Sequence, residues 1–238
     1  MALPVLETNT FELTLPSSDV KVKYRPFLVK EEKILLQALE SQKQKEIIQA
    51  LKDIVSVCTY GQLSVDELPT FDLEYVFLQI RAKSVGEIAK LKILCPDTKK
   101  EYAEVEVDLT TVDVHVDDEH SNKIMVDEGR KIQILMKYPT IASVDPTKDY
   151  TNNNTKELFK IISKGIYQII EGDKVHMAKD YTKEELNQFI ESLDSMSFKK
   201  IQRFYETMPK LMHEIEVENP KTKVKSKIML SGLSDFFG

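Results

Sequence analysis

Clustered acidic side chains offer this chain its clearest potential for metal chemistry: Asp117, Asp118 and Glu119 are consecutive, His120 follows them, and His115 is close by in sequence. Hard divalent cations prefer clustered carboxylate oxygens, so this run could hold one. Its spacing matches no established cation-binding loop, however, and a solvated turn between two strands explains it equally well. The residues alone leave both interpretations open. We assign no metal ligand and predict no cofactor.

Cysteine and histidine give weaker signals of chemistry. A structural zinc site needs four ligands and usually includes a Cys-x-x-Cys pair, whereas the two cysteines, Cys58 and Cys95, stand far apart in sequence. Two cysteines also form no disulfide framework, which favours a reducing compartment such as the cytoplasm. Nucleophilic catalysis needs a nucleophile motif paired with a base, and none accompanies the four histidines. We therefore predict that the protein is not an enzyme and has no catalytic residues.

Composition argues against several other classes of protein. The formal net charge of −6 is unlike the basic surface that general nucleic-acid binding requires, so we predict no nucleic-acid partner. The seven glycines are scattered, which leaves no glycine-rich loop to cradle the phosphates of a nucleotide, and we expect no small-molecule ligand. No apolar run approaches the ~20 residues of a membrane-spanning helix, and we find no signal peptide at the N-terminus.

Two charge features could serve a protein interface. Arg81 lies on the most apolar segment of the chain, and a buried arginine needs a carboxylate, either inside the fold or on a partner. Residues 97–128 contain eleven acidic and three basic side chains, whereas residues 197–229 contain eight basic and four acidic ones. Opposite patches of this kind can steer association, although two ordinary solvated surfaces would explain them as well.

The N-terminal region combines a predicted strand pair with three predicted helices. Alternating apolar residues on both sides of a turn predict the strands over residues 10–22. Helical spacing then predicts helices over 30–41 and about 47–58. A third helix, over 71–83, is apolar around most of its surface and should lie in the centre of the fold. The first of the three should present one apolar face, formed by Ile34, Leu35, Ala38 and Leu39.

Alternation with a period of two replaces helical spacing after residue 86. It predicts a β-rich insert over 87–138, with the mixture of polar and apolar residues that is typical of an antiparallel sheet with one wet face. Helices resume near residue 155, and we expect Thr182 to open the second of them with a capping box and Ser197 to cap the third. The first is predicted to bear Ile161, Ile162, Ile166, Ile169 and Ile170.

These elements predict an α+β fold with a helical core from the N- and C-terminal halves, an antiparallel β-rich insert and a C-terminal hairpin. The chain ends in the adjacent rings of Phe236 and Phe237, which should pack on the protein itself or on a partner, since exposed rings are costly. We expect four segments: strands and helices over 1–86, the insert over 87–138, helices packing on the first segment over 139–212, and the hairpin with its aromatic tail over 213–238.

Two turns share the pattern X-Pro-x-Thr-Lys. One runs from Cys95 to Lys99 and the other from Asn219 to Lys223, each between segments of alternating hydrophobicity. Proline at the second position has a clear geometric reason in a turn, because its fixed φ suits that position. The two turns are either ordinary hairpin connections or a pair of related, knuckle-like turns, one in each half of the protein.

Three segments resemble the baseplate hub assembly proteins of T-even-like contractile-tailed bacteriophages. They are residues 24–36, which begin Tyr24-Arg25-Pro26-Phe27, residues 71–87, and residues 232–237. The middle segment is the most specific, because the run from Arg81 to Gly86, Arg-Ala-Lys-Ser-Val-Gly after an aromatic helix, is unusual. The likeness extends from the N-terminal region to the last residues of the chain.

Some members of that family carry cysteine pairs at the two knuckle turns. This chain keeps Cys95 but has Thr98 in the first turn, and it has Asn219 and Thr222 in the second. The departure argues against a metal-bound knuckle here.

The resemblance implies tail morphogenesis: a non-enzymatic assembly factor, such as an assembly chaperone, or a minor structural subunit of the baseplate hub. Its partners would be other phage hub or tail proteins. It would act in the cytoplasm of the infected bacterial host and, if it is retained, in the virion tail baseplate. A metal-dependent enzyme with a carboxylate site in the β-rich insert is the alternative. The positions that we expect to bind partners are Tyr24, Arg25, Arg81, Leu233, Phe236 and Phe237.

Overall fold

The protein forms two compact units. The first draws on Met1–His115 and Lys210–Gly238, and the second on Val116–Pro209. Both combine helices with antiparallel strands, which confirms the predicted α+β class. No helix within the described part of the chain has the length and hydrophobicity needed to cross a membrane. The structure is a computed structural model that describes residues 7–141, 143 and 155–236.

The described residues of the first unit form three helices and seven strands. The helices are α1 (Val29–Ser41), α2 (Gln44–Cys58) and α3 (Thr70–Val85). The strands are β1 (Phe11–Thr14), β2 (Lys21–Tyr24), β3 (Ile88–Leu94), β4 (Tyr102–Asp108), β5 (Asp113–His115), β10 (Lys210–Glu218) and β11 (Lys225–Ser231). All pairs are antiparallel: β1 with β2, β3 with β4, and β10 between β11 and β5.

Helix α3 lies in the core of the first unit, as its sequence predicts. Val76, Phe77, Leu78 and Ile80 are all fully buried on it. Burying one such side chain contributes about 1.5–3 kcal/mol, so a helix that is apolar on nearly all sides is stable only inside a fold. Asp72 is also buried there, and its carboxylate accepts hydrogen bonds from the backbone N–H and the hydroxyl of Ser17. These bonds tie the β1–β2 turn to α3.

The second unit packs three helices against an antiparallel sheet with the strand order β6-β7-β8-β9. The strands are β6 (Lys123–Asp127), β7 (Ile132–Met136), β8 (Ile166–Glu171) and β9 (Lys174–Met177). The helices are α4 (Thr155–Gly165), α5 (Lys183–Glu191) and α6 (Ser195–Thr207). Its core contains Ile134, Ile162, Ile190, Ile201 and Phe204, so all three helices contribute apolar side chains to one cluster with the sheet.

One predicted helix is too long. Ile166, Ile169 and Ile170 were expected to continue the helix that begins near residue 155, but they lie in β8. Helix α4 ends at Gly165, and the β-branched residues that follow suit a strand better than a helix. Pairing with β7, which places Ile169 opposite Ile134, decides between the two conformations.

One of the two predicted helix caps is also wrong. Helix α6 begins at Ser195, three residues earlier than expected, and its cap is Asp194, whose carboxylate accepts the Ser197 backbone N–H at 2.6 Å. The Ser197 hydroxyl donates instead to the Val126 carbonyl. At α5 the predicted capping box is confirmed, because the Thr182 hydroxyl and the Glu185 carboxylate each accept the other residue's backbone N–H.

The strands predicted as one insert over 87–138 are shared between the two units. Strands β3, β4 and β5 belong to the first unit, and β6 and β7 belong to the second. Pairing explains the division, because β5 pairs with β10 from the C-terminal region whereas β7 pairs with β8.

Gly165, between α4 and β8, has no room for a side chain. A Cβ added there would overlap the Tyr205 hydroxyl oxygen and lie 3.1 Å from the terminal methyl of Met136. Overpacking of this kind costs about 1–3 kcal/mol. We expect Gly165→Ala to lower the free energy of unfolding by that amount in denaturant titrations. Adding Tyr205→Phe, which removes the hydroxyl, should recover part of the loss; no recovery would show that the overlap is not the cause.

Candidate partner-binding site

The C-terminal segment Leu233–Phe236 packs against the first unit as one turn of 3-10 helix. The Phe236 ring is 0% exposed and belongs to the same core cluster as Leu211 of β10. Leu233 packs on that cluster but stays partly exposed. Phe236 therefore packs on the protein itself. Phe237 lies outside the described residues.

Backbone hydrogen bonds hold the start of this segment. Gly232 donates its N–H to the Leu211 carbonyl at 3.0 Å, and its φ of +71° is a conformation that favours glycine. The N–H of Leu233 donates to the carboxylate of Glu74 on α3. Burial raises the pKa of Glu74 to about 7, although this hydrogen bond acts in the opposite direction. The segment is thus attached to a carboxyl group that titrates near neutral pH.

Glu74 should make the stability of the protein depend on pH. Its pKa is raised in the folded state, so its contribution to stability is complete below the ordinary value of 4.5 and is lost as the pH rises toward 7. Glu74→Gln, which keeps an oxygen to accept the Leu233 N–H, should reduce the fall in unfolding free energy over that range. Denaturant titrations at several pH values measure the difference. Glu104→Gln on an exposed part of β4 is the control, and identical profiles for all three proteins would contradict this role of Glu74.

Tyr24 is the last residue of β2 and Arg25 follows it on the way to α1, and both are largely enclosed. Tyr24 is only 3% exposed, and its ring lies 5.7 Å from that of Phe11. Arg25 reaches Glu31 of α1 with its Nη2 at 3.1 Å from Oε1. Burial acts to raise the pKa of Glu31, but the hydrogen bonds from the Leu28 N–H and from Arg25 outweigh it and lower the pKa. Tyr24 therefore has a structural contact within the β1–β2 pair, and Arg25 has one where α1 begins.

Arg81 is half-buried on α3, and burial lowers the pKa of its guanidinium. It neighbours Ala82, which is buried in the core cluster of the first unit. Its partial exposure is compatible with either of the two interpretations from sequence, pairing inside the fold or a role at an interface.

The two X-Pro-x-Thr-Lys turns meet in the first unit. Asn219, 1% exposed, donates through Nδ2 to both carboxylate oxygens of Asp97, at 2.8 and 3.1 Å. The Thr222 hydroxyl donates to the same carboxylate at 2.6 Å. The Asn219 side-chain oxygen accepts the backbone N–H groups of Lys221 and Thr222, which fixes its orientation. We call Asp97, Thr98, Asn219 and Thr222 the paired-turn cluster.

The electrostatics of the paired-turn cluster favour ionised carboxylates. Hydrogen bonds from Thr222 and then Asn219 lower the pKa of Asp97. Beside it, Lys221 and then Thr98 lower the pKa of Glu101, with Lys221 Nζ at 2.6 Å from Oε1. One thiol, two hydroxyls and an amide at the four knuckle positions do not fit a zinc ion, which prefers thiolate and imidazole ligands. Hydrogen bonds join the turns here.

The acidic run proposed as a metal site is engaged in structural contacts in the second unit. Both ring nitrogens of His120 are hydrogen-bonded, Nδ1 to the Thr207 hydroxyl at 3.0 Å and Nε2 to the Tyr138 hydroxyl at 2.9 Å. Glu119 forms an ion pair with Arg203, and Asp117 accepts the Glu119 backbone N–H. Over the described ranges, no three His, Cys, Asp or Glu side chains are grouped so that they could hold a metal. The geometry favours the solvated turn.

Ion pairs engage much of the basic patch over residues 197–229. In the first unit, four basic side chains form ion pairs with carboxylates on β10 or in the connection between β3 and β4. The pairs are Lys221–Glu101, Lys223–Glu218, Lys225–Glu216 and Lys227–Glu214. These pairs are largely exposed and contribute little stability. Of these four pairs, only Lys221–Glu101 joins the two patches, because the other three carboxylates belong to residues 197–229 themselves.

The predicted apolar face of α1 is only half buried. Leu35 and Ala38 are buried with Glu31, whereas Ile34 and Leu39 are exposed. Helix α1 packs mainly on α2, which covers one side of it. Sequence spacing identifies apolar positions but does not show how many sides a neighbouring element covers.

The uncovered side of α1 carries an exposed apolar surface, and sequence analysis had assigned only one of its three residues, Leu39, to an apolar face. Val29, Leu36 and Leu39 are 79%, 52% and 42% exposed, and we call these three residues the α1 face. Positions 29 and 36 lie two helical turns apart, so all three project from one side. A cluster of large exposed apolar side chains is typical of a protein-binding surface. The sequence signal that could have revealed this surface is that α1 contains more apolar residues than a helix with one buried face requires.

Comparison with known proteins identifies a family. The family model described as T4 bacteriophage base plate protein matches residues 8–238. No curated protein and no solved structure matches the chain. The matched range contains all the described helices and strands, the paired-turn cluster and the C-terminal segment. The chain therefore belongs to the T4 bacteriophage base plate protein family.

Proposed function

We propose that this chain is a non-enzymatic assembly factor or minor structural subunit of the baseplate hub and that it acts by binding other hub or tail proteins. Membership of the base plate family supports a structural or assembly role in the baseplate. The observation that carries protein binding is the exposed α1 face, with Val29 at 79% exposure. Assembly would take place in the host cytoplasm, and a retained copy would sit in the tail baseplate.

The residues expected to bind partners divide into two groups under this proposal. Arg25, Arg81 and Leu233 keep some exposed surface and are candidates for direct contact. Tyr24 and Phe236 are buried, so they would act by holding the strand pair and the C-terminal segment in place. Phe237 stays a candidate for direct contact.

The alternative, a metal-dependent enzyme, receives no support from a particular observation. Its carboxylates and His120 have the structural partners described above. The hydrogen bonds on both ring nitrogens of His120 would have to break before the ring could bind a metal.

Charge on the α1 face should weaken partner binding without unfolding the protein. We expect Leu36→Lys with Leu39→Lys to reduce capture of baseplate proteins from infected cells about tenfold. Both positions are exposed, so the melting temperature should change by only about 2 °C. The matched control is Val224→Lys with Met229→Lys, two similarly exposed positions elsewhere in the first unit. Equal capture by both variants would contradict a role of the α1 face.

Quantitative mass spectrometry of purified mature virions tests the proposal and separates its two forms. A fixed copy number per virion is expected of a structural subunit. Absence from virions, with presence in tail-assembly fractions of infected cells, is expected of an assembly factor. Absence from both samples would contradict the proposal.

A further inference from the structure

The second unit contains an open cleft of about 540 Å³ at one end of its sheet. The sheet contributes Ile132 of β7 and Ile169 of β8, and the opposite wall comes from Leu186 and Phe189 of α5. Ile132, Ile169 and Phe189 are only partly buried. The apolar interior of the unit is therefore accessible from this end. A volume of this size falls in the range of about 300–1,000 Å³ that is typical of ligand pockets.

Four carboxylates surround the cleft: Asp127, Glu171, Glu185 and Asp194. Arg130 is the only lysine or arginine among its described lining residues. It pairs with Glu171, its Nη2 lying 2.7 Å from Oε1. The rim thus carries three more negative than positive charges, because four carboxylates face one guanidinium.

The rim charges are fixed in position by the local fold. Asp127 accepts the Arg130 backbone N–H at 2.9 Å. Glu185 and Asp194 cap α5 and α6, and the backbone N–H groups of Thr182 and Ser197 respectively lower the pKa of each carboxyl. Their positions are set by these hydrogen bonds, so they need no reorganisation to meet a cation.

We propose that this cleft binds a peptide segment of another tail protein in which a large apolar side chain stands next to lysine or arginine. The proposal rests on the proposed function, because it assigns a second contact to the same binding protein. The apolar floor suits one or two large side chains, which commonly anchor protein interfaces. The rim complements basic neighbours electrostatically and would reject acidic or nucleic-acid partners.

Isosteric amides allow the rim charge to be removed without changing the fold. Asparagine caps a helix as well as aspartate does, and glutamine serves in a capping box. The rim variant carries Asp127→Asn, Glu171→Gln, Glu185→Gln and Asp194→Asn. The control variant removes four exposed carboxylates elsewhere in the same unit: Asp118→Asn, Glu128→Gln, Asp173→Asn and Glu191→Gln. Both variants have the same net charge.

The test measures binding of full-length protein to short overlapping synthetic peptides that cover the tail proteins of the same phage. We expect the bound peptides to share a large apolar residue beside a basic one. Fluorescence anisotropy should show an affinity about tenfold weaker for the rim variant, and an unchanged affinity for the control.

Several results would overturn the inference. They are the absence of any bound peptide, equal affinity of the rim variant and the wild type, or equal loss in both variants. A dimer in sedimentation experiments that disappears only in the rim variant would identify a second copy of this chain as the occupant instead. Baseplate proteins captured equally by the rim variant and the wild type would leave the proposed function intact while rejecting the cleft.

Discussion

Phe236→Ala is expected to lower the free energy of unfolding of the protein by about 3–5 kcal/mol. The ring is 0% exposed in a core cluster with Leu78 and Leu230, so its removal takes away buried apolar surface and leaves a cavity. Chemical denaturation followed by circular dichroism measures the loss. Phe236→Leu, which keeps most of the volume, should cost less.

The matched control for this prediction is Val29→Ala on the α1 face. Val29 is 79% exposed, and truncation there should change the unfolding free energy by about 0.5 kcal/mol or less. If Phe236→Ala proved as mild as Val29→Ala, the ring would not be part of the core. The C-terminal segment would then be available for direct contact with a partner.

Asn219→Asp is expected to destabilise the paired-turn cluster strongly at pH 7. The amide nitrogen of Asn219 touches both oxygens of Asp97, so the substitution would place two carboxylates in contact. Asn219→Ala removes the same hydrogen bonds without adding charge and should cost about 1–3 kcal/mol. The aspartate variant should be less stable than the alanine variant at pH 7. It should recover as the pH falls, because the two carboxyls can then share a proton.

A charge exchange provides the control for the paired-turn cluster. Asn219→Asp combined with Asp97→Asn restores one amide and one carboxylate in contact, with the donor on the other turn. The double variant should be more stable than Asn219→Asp alone, and the double-mutant cycle should show coupling between the two positions. Thermal unfolding of the four proteins at pH 5 and pH 7 measures both effects. Additive effects of the two substitutions would show that the turns are not joined through this pair.

Two of the three helices of the first unit could be predicted to within two residues at each end. The expected helices over 30–41 and 71–83 appear as Val29–Ser41 and Thr70–Val85. Local spacing and a flanking proline or glycine suffice for these elements, because both signals lie inside the segment itself.

Pairing between distant segments could not be predicted in the same way. Ile166, Ile169 and Ile170 have helical spacing, yet they form β8, because β7 offers hydrogen bonds and apolar neighbours across the sheet. Their identity as isoleucine already favoured a strand. The spacing of apolar residues within one segment carries no information about neighbours from distant parts of the sequence.

The separate segments of the candidate site could be predicted from the sequence, but the contacts between them could not. The shared X-Pro-x-Thr-Lys pattern identified both turns, but the contact between Asn219 and Asp97 spans 122 positions of sequence. The apolar tail was recognised as a segment that must pack on the protein itself or on a partner. Which of the two Phe236 does depended on the space left for its ring in the core of the first unit. The exposure of the α1 face was not predicted, since it depends on what α2 leaves uncovered.

Quantitative mass spectrometry of the proteins captured with the tagged full-length chain from infected cells tests the central claim most directly. If this chain binds hub proteins, other baseplate hub components should be the most enriched proteins relative to a tag-only control. Capture of no tail protein, or of host proteins alone, would contradict the claim that this base plate family member builds the hub by binding its other components.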